Sequence, residues 1–251
     1  MEKVFDKYKT RGNRNWEEMR SRDPRFFNAY QQARYEWILK LAGDIHDKKV
    51  LDLGSGGGSL TYLLAKAGAK VTGAEYDELG LEYAKKNLAE MNAQNKLDYS
   101  FVHASAYKLP FEKEYFDTVV HCEVIEHLAE PEKMLAEVLR VLKPGGKFIL
   151  TTPYRLTEVP QDPNHIKEYF PEEIQMLLEK YFKNVGIKLT HHMFWRTLYT
   201  YPFWIYKNRP LGKWFINTFA LLFGWNPFMR DYIITGKFDL FATICAVGYK
   251  K

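Results

Sequence analysis

The chain of 251 residues holds only two cysteines, Cys122 and Cys245, and each falls inside an apolar run that reads as a buried strand. With so few thiols, neither a disulfide scaffold nor a cysteine zinc site is expected. Long hydrophobic runs are also lacking, and no stretch reaches the roughly 18 apolar residues of a membrane-spanning helix. The opening segment, MEKVFDKYKTRGNRNW, is charged and has no apolar h-region. It does not read as a secretory signal, so a cytoplasmic setting is expected. Charge of one sign is not in large excess, the net value being +5. The basic residues are densest early (Lys7, Lys9, Arg11, Arg14, Arg20, Arg22, Arg25), a run that reads as a solvated amphipathic segment. Further on, Lys207, Arg209, Lys213 and Arg230 are scattered among aromatics without forming a continuous groove, and nucleic acid is not favoured as a partner.

Glycine is concentrated at one point. Val50 to Gly58 reads VLDLGSGGG, an apolar strand that runs into Gly54, Gly56, Gly57 and Gly58. Without Cβ atoms, such a turn lets the backbone approach a bound molecule closely. Strand, glycine turn and helix in that order make the nucleotide-binding crevice of an open α/β sheet. A nucleoside-bearing cofactor is therefore expected, with Glu75, at the end of the next strand, accepting its ribose hydroxyls. A nicotinamide-binding loop would read G-x-G-x-x-G, and counting from Gly54 its last position is Ser59 rather than Gly or Ala. Asp52 suits a cofactor with an amino-acid tail, because dinucleotide folds need no carboxylate there.

From Val50 onward strand and helix patterns alternate. Strands are predicted at 49–53, 70–75, 98–103, 116–122 and 147–152, with helices at 60–67, 80–91 and 131–141. LKPGG at 142–146 reads as the punctuation that ends the last of these helices. A proline-opened helix at 171–181 leads to a sixth strand at 185–191, and 238–249 forms the last strand. This is an α/β pattern, a Rossmann-like, mostly parallel sheet flanked by helices. The expected organisation is a helical cap over 1–45, a cofactor-binding core over 46–191, an aromatic helical insertion over 192–237 and a closing strand over 238–251.

Five stretches follow one another in close order: D-x-G-x-G-x-G at 52–58, VTGAEYD, HASAYKLPF, FDTVVHCEVIEHL and LKPGGKFILTTP. Together they resemble the class I S-adenosylmethionine-dependent methyltransferases over residues 34–173. The resemblance implies a seven-stranded sheet with an antiparallel last strand, and S-adenosyl-L-methionine as cofactor. It implies that Gly54, Ser55, Gly56 and Gly58 line the methionine and ribose, while Asp52 orients the loop or meets the amino group. Glu75 would bind the ribose, Tyr76 would pack beside the adenine, and Ser105 and Ala106 would meet the adenine amine. Many members carry Asp where this chain has Ser105, so that contact is uncharged here. His121 would lie near the methionine portion. Gly57 and Ser59 read as turn geometry and helix entry. An NAD(P)-dependent oxidoreductase and a non-catalytic cofactor-binding subunit stand as the alternatives.

A sulfonium methyl donor is already activated, so the protein must align a nucleophile and, for a hydroxyl, remove its proton. Glu123, Glu126 and His127 are spaced to share one face of a helical turn, and His165 follows in DPNHIKEY. The E-x-x-E-H run is similar to ubiquinone-pathway O-methyltransferases and small-RNA 2′-O-methyltransferases. That similarity implies a divalent ion, Mg²⁺ or Mn²⁺, on Glu123, Glu126, His127 and His165. In the other reading Glu126 and His127 stabilise their loop, and His165 is a general base, a substrate-orienting group or a surface histidine. The catalytic candidates are His165 and His127. LTTPY with DPNHIKEYFPEE also resembles methyltransferases of polysaccharide assembly. The acceptors implied are a prenyl quinol precursor, a lipid-linked intermediate or a sugar.

Residues 194–232 hold fourteen aromatics, and Phe215, Phe219, Leu222 and Phe223 fall at helical spacing. One reading is a lid packed on the core or on a second copy in a homodimer. Another is a greasy surface for a lipid-linked acceptor or for peripheral membrane contact, since tryptophan, tyrosine and basic residues suit a headgroup interface.

Overall fold

Alternate residues of the central strands bury on opposite faces of one sheet, the signature of strands covered on both sides. Val50, Val71, Val120 and Ile149 pack on one face. Leu51, Val119, Phe148 and Leu150 pack on the other. This computed structural model describes residues 7–160, 162–201, 205–206, 209–230 and 240–251. Three helices come first, α1 (Lys7–Arg11), α2 (Arg14–Arg20) and α3 (Ala29–Ala42). The core follows as β1 (Lys49–Leu53), α4 (Ser59–Lys66), β2 (Lys70–Glu75), α5 (Glu78–Asn95), β3 (Tyr99–His103) and β4 (Phe116–Cys122). It continues with α6 (Pro131–Val141), β5 (Leu142–Pro153), α7 (Pro171–Glu179) and β6 (Lys183–His192). Then come α8 (Met193–Thr200), the short pair β7 (Ile205–Tyr206) and β8 (Arg209–Pro210), α9 (Leu211–Phe223) and β9 (Phe241–Tyr249).

The sheet order is β3-β2-β1-β4-β5-β9-β6, and β9 runs antiparallel to both neighbours. This is the expected seven-stranded, mostly parallel sheet with its last strand reversed. The strand order turns back between β1 and β4, which opens a crevice at their carboxyl ends. α3 and α4 cover one face through Ile38, Ala42, Leu60 and Leu64. α6 and α7 cover the other through Met134, Leu135, Val138, Ile174 and Leu178.

Two local expectations are corrected. LKPGG does not stand apart from the strand, because β5 already begins at Leu142, paired with Phe116. The register then shifts so that Thr118 pairs with Lys147, and Gly145 takes a φ of 72° within the irregularity. The helix is thus ended by a bulged strand entry, which Gly allows and an L-residue resists. The aromatic segment does form a helix, α9, yet Phe215, Phe219, Leu222 and Phe223 are exposed while Ile216 and Asn217 are buried. The start of the predicted last strand, Phe238, lies outside the described residues.

The N-terminal helices and the aromatic segment share one small core. Phe27, Ala29 and Ala33 pack with Tyr199, Ile216 and Phe228. At its centre Asn217, fully buried, accepts from the Ala29 N–H at 3.1 Å and the Tyr199 hydroxyl at 3.0 Å. Its amide donates to the carbonyls of Pro24 and Phe27. Asn217→Ala would strip the Asn217 partner from the buried Ala29 N–H and Phe27 carbonyl, each costing about 1–3 kcal/mol. A net loss of roughly 2–4 kcal/mol in chemical denaturation is expected, and a loss under about 0.5 kcal/mol would count against this account.

Candidate functional site

The glycine turn is fastened to β2 by one carboxylate. Glu75 Oε2 accepts from the Gly56 N–H at 2.7 Å, and its Oε1 accepts from the N–H groups of Tyr76 and Asp77 at 3.0 and 2.9 Å. Gly54, Gly56 and Gly58 all have φ between 54° and 82°. Their surroundings differ. A Cβ on Gly54 would strike the Val124 side chain, and one on Gly58 would strike Leu88 and Ala84 of α5. Gly58 therefore packs α4 against α5, whereas Gly56 faces the hydroxyl of Tyr8. Ser55 is buried, and its Oγ is left without a hydrogen-bond partner. A backbone cradle beside a strand-end carboxylate and an orphaned hydroxyl fits a nucleoside with a polar tail.

The other candidates on this side divide. Tyr76 is exposed and stacks on His103 with centroids 5.9 Å apart, which leaves a flat aromatic platform at the rim. The Ser105 hydroxyl accepts from the Tyr107 N–H at 3.2 Å and so shapes its own turn, with Ala106 half-buried between them. Asp52 is buried and accepts from the Thr61 hydroxyl at 2.7 Å, which ties β1 to α4. Burial pushes its carboxyl up to about 7. His121 is fully buried, its Nδ1 3.0 Å from the Leu53 carbonyl, and burial lowers its imidazole to about 4. It is a neutral strut between β4 and β1.

On the acceptor side the structure brings together three of the four predicted ligands. Glu126, His127 and His165 place one donor atom each within 4.8 Å of one another. Glu123 does not join them. It sits outside the short 3-10 turn Ile125–His127, at a φ of 56°, and its carboxylate pairs with Arg34 at 2.9 Å. The predicted common helical face fails because the turn is too short and tight to carry it. Glu126 is buried, accepts from the Thr152 hydroxyl at 3.1 Å, and has no partner on Oε1. Burial, then the charge of Glu123, raise its carboxyl well above the ordinary range.

Both histidine rings are oriented through Nδ1. That of His127 lies 3.0 Å from the Asn164 carbonyl, and that of His165 lies 2.7 Å from Glu168 Oε1. Glu168 is buried and was not singled out in the sequence, although its spacing from His165 (i, i+3) is the available signal. The N-terminal run is amphipathic, its basic side chains exposed and its aromatics turned inward. Arg14 and Arg20 pair with Glu18 and Glu90, and Arg11 reaches Asp162 at 3.7 Å. Tyr8 and Trp16 are buried against the core.

Residues 51–150 match the family described as "Methyltransferase domain". Over this core the chain is similar to class I S-adenosylmethionine-dependent methyltransferases. The ubiquinone biosynthesis O-methyltransferase of Yersinia enterocolitica is 36% identical over 127 residues, 50% of this chain and 50% of that protein. The demethylmenaquinone methyltransferase of Clavibacter sepedonicus is 39% identical over 113 residues, 45% of this chain and 42% of that protein. The chain thus spans about half the length of the curated relatives it matches. YcgJ from Bacillus subtilis superposes with a TM-score of 0.59 at 19% identity, covering 88% of this chain and 99% of that one. Phosphoethanolamine N-methyltransferase 2 of Haemonchus contortus, solved with S-adenosyl-L-methionine, gives 0.66 at 16% identity, covering 98% of this chain and 58% of that one. At these identities the likeness is one of fold. The nicotinamide alternative is set aside.

Within this core, Asp52 offers a pH test. Its native carboxyl titrates near 7 against an ordinary 3.8, so the folded state holds this proton more tightly than the unfolded chain does. The stability it contributes is therefore greatest below the ordinary value and is lost as pH rises through about 7. Asp52→Asn should raise the thermal unfolding midpoint more at about pH 8 than at about pH 5. Equal shifts at both would show that the buried charge is not the cause.

Proposed function

We propose that this chain transfers the methyl group of S-adenosylmethionine to a hydroxyl of its acceptor, with His165 as the general base. The observation that carries the reading is the part-buried His165–Glu168 pair at 2.7 Å, beside Glu126 and His127. A carboxylate on Nδ1 fixes the ring and its tautomer, so a proton leaves the acceptor through Nε2. The cofactor, held by the glycine turn and Glu75, supplies a methyl group on a positively charged sulfur. With the cofactor bound, the S–CH3 bond would break as the acceptor oxygen takes the methyl group, leaving the thioether; His165 would accept the hydroxyl proton and Glu168 would stabilise the imidazolium. The names of the two relatives above support an acceptor of quinone-precursor type, a hydroxylated ring with an apolar tail.

The cluster supports a second reading, a divalent ion on Glu126, His127 and His165. The donor set fits: each Nδ1 is held by a carbonyl or carboxylate, as second-shell partners of ligating histidines usually are. Two imidazoles suit Mn²⁺, Fe²⁺ or Zn²⁺ better than Mg²⁺, which takes oxygen donors. Such an ion would lower the pKa of a bound hydroxyl. One experiment separates the two. With hydroxylated aromatic acceptors, His165→Ala should lower kcat by about 10²–10⁴, and Glu168→Gln should lower it less. Chelation should leave wild-type turnover unchanged, while affinity for S-adenosylhomocysteine stays constant in both variants. Turnover within a few-fold in His165→Ala would sink the base, and turnover abolished by EDTA and restored by Mn²⁺ would favour the ion.

Peripheral membrane contact is the remaining element of this reading. No helix among the described residues is long and apolar enough to cross a membrane. α9, however, turns Trp214, Phe215, Phe219, Leu222 and Phe223 outward, and a groove of about 530 Å³ runs between it and Trp195 and Trp225. No Asp or Glu occurs between Glu179 and Asp231, a stretch with eight Lys or Arg. Aromatic and basic groups together suit an anionic headgroup surface. The chain should float with anionic vesicles at low salt, and Phe219→Ser with Phe223→Ser should release it. No flotation, or a dimer that the same substitutions split, would assign this face to a second copy instead.

A further inference from the structure

We infer that residues 7–20 form a hinged strap across the cofactor crevice, in which Tyr8 touches the bound cofactor and Arg11 clasps the acceptor loop. The strap has an anchor, a hinge and a tip, and each is built differently. At the anchor, Asn13 and Asn87 exchange two hydrogen bonds of 2.7 and 2.9 Å, and the Asn87 amide also donates to the Gly57 carbonyl at 2.8 Å. Trp16 buries beside them, edge-on to Tyr62 at 5.6 Å and packed with Leu88. These contacts fix α2 to the helices that follow the glycine turn.

The hinge is Gly12, between α1 and α2. Its φ is 54°, and a Cβ placed there would meet no atom within 4 Å. It is glycine for its backbone freedom and not for want of room.

The tip is Tyr8, whose ring lies between the glycine turn and the first turn of α5. A Cβ on Gly56 would strike its hydroxyl, and one on Gly80 would come within 2.7 Å of the ring. Burial, then the nearby charge of Glu75, push the phenol far up, so it remains a neutral donor. A neutral hydroxyl beside the ribose-binding carboxylate and the backbone of the turn is placed to meet the polar edge of the cofactor.

Beyond the tip, Arg11 pairs with Asp162 at 3.7 Å. The carbonyl of Asp162 accepts from the His165 N–H at 3.0 Å. Arg11 is largely exposed, and such a pair is weak. A weak clasp on a firm anchor lets α1 swing about Gly12 to admit cofactor without unfolding α2. Closure then links the cofactor side of the crevice to the loop that carries His165.

This inference rests on the cofactor reading but not on His165 as base, since it holds for any acceptor. The test uses S-adenosylhomocysteine and the full chain. In stopped-flow displacement, Tyr8→Ala should speed ligand dissociation about tenfold or more, and Arg11→Ala by several-fold. Tyr8→Phe separates the two roles of the residue: it keeps the ring, so only the hydroxyl's share of the affinity should go. Thermal midpoints without ligand should match wild type for Arg11→Ala and stay close to it for Tyr8→Phe, while Tyr8→Ala, which empties a buried site, should lower the midpoint yet keep a cooperative transition. Tryptic cleavage at Lys9 and Arg11 should slow when ligand is added to wild type. Dissociation equal in wild type and Tyr8→Ala, or cleavage indifferent to ligand, would overturn the strap alone. A Tyr8→Ala chain with a collapsed midpoint would make Tyr8 a folding residue and overturn it too. No binding of the ligand by wild type would remove the cofactor reading and the strap with it.

Discussion

The carboxylate of Glu75 holds the crevice in shape. Three backbone N–H groups converge on it, one from the glycine turn and two from the start of the segment leading into α5. Hydrogen bonds to a carboxylate are stronger than neutral ones, and a backbone N–H cannot rotate away. The turn after β1 and the end of β2 therefore behave as one rigid rim. The cofactor side of the crevice, including the place where Tyr8 wedges, is built on that rim.

On the acceptor side a largely shielded ion pair plays the corresponding part. Arg34 comes from α3, Glu123 from the loop after β4, and the guanidinium also lies over the Tyr30 ring at 4.8 Å. Taking two charges out of water costs several kcal/mol per ion, which the pairing only partly repays. Such a pair is therefore a poor source of stability and a good device for register. It fixes how the cap meets the core and holds Glu123 at a positive φ, a conformation retained where the surroundings demand it. By occupying Glu123 it also leaves Glu126, with its unpartnered oxygen, as the carboxylate that meets the two histidines.

The sheet and the glycine turn were legible because local signals carry them. Apolar runs at the right spacing, glycines at positive φ and a strand-end acid are written residue by residue into 49–75. The convergence of Glu126 and His127 with His165 was legible as a motif, since the residue types announce it. Long-range pairing was not. Nothing in the sequence around Glu123 tells that Arg34, far earlier in the chain, will take it, nor that Tyr8 will reach Gly56. Periodicity marked α9 as amphipathic but left open whether its aromatic face packs inward or stays exposed. The buried face is decided by one polar residue, Asn217, with four partners contributed by the cap and α8. A hydrophobicity pattern counts such a residue as solvent-facing.

The carboxyl ends of β1, β4 and β5 also sort their titratable groups by what reaches them. Asp52, His121 and Glu126 lie beneath the crevice, and burial is the first cause of each shift, always toward the neutral form. Glu75, Glu123 and Glu168 instead have N–H, guanidinium or imidazole donors brought to them by the turn, the cap and the His165 loop. The floor is thereby biased toward its neutral forms, while the polar contacts a substrate would feel stand at the rim. That division follows from topology. Parallel strands all end on the same side, so one sheet edge gathers polar side chains from segments far apart in sequence. Only those that later segments cap with donors keep partners suited to a charge.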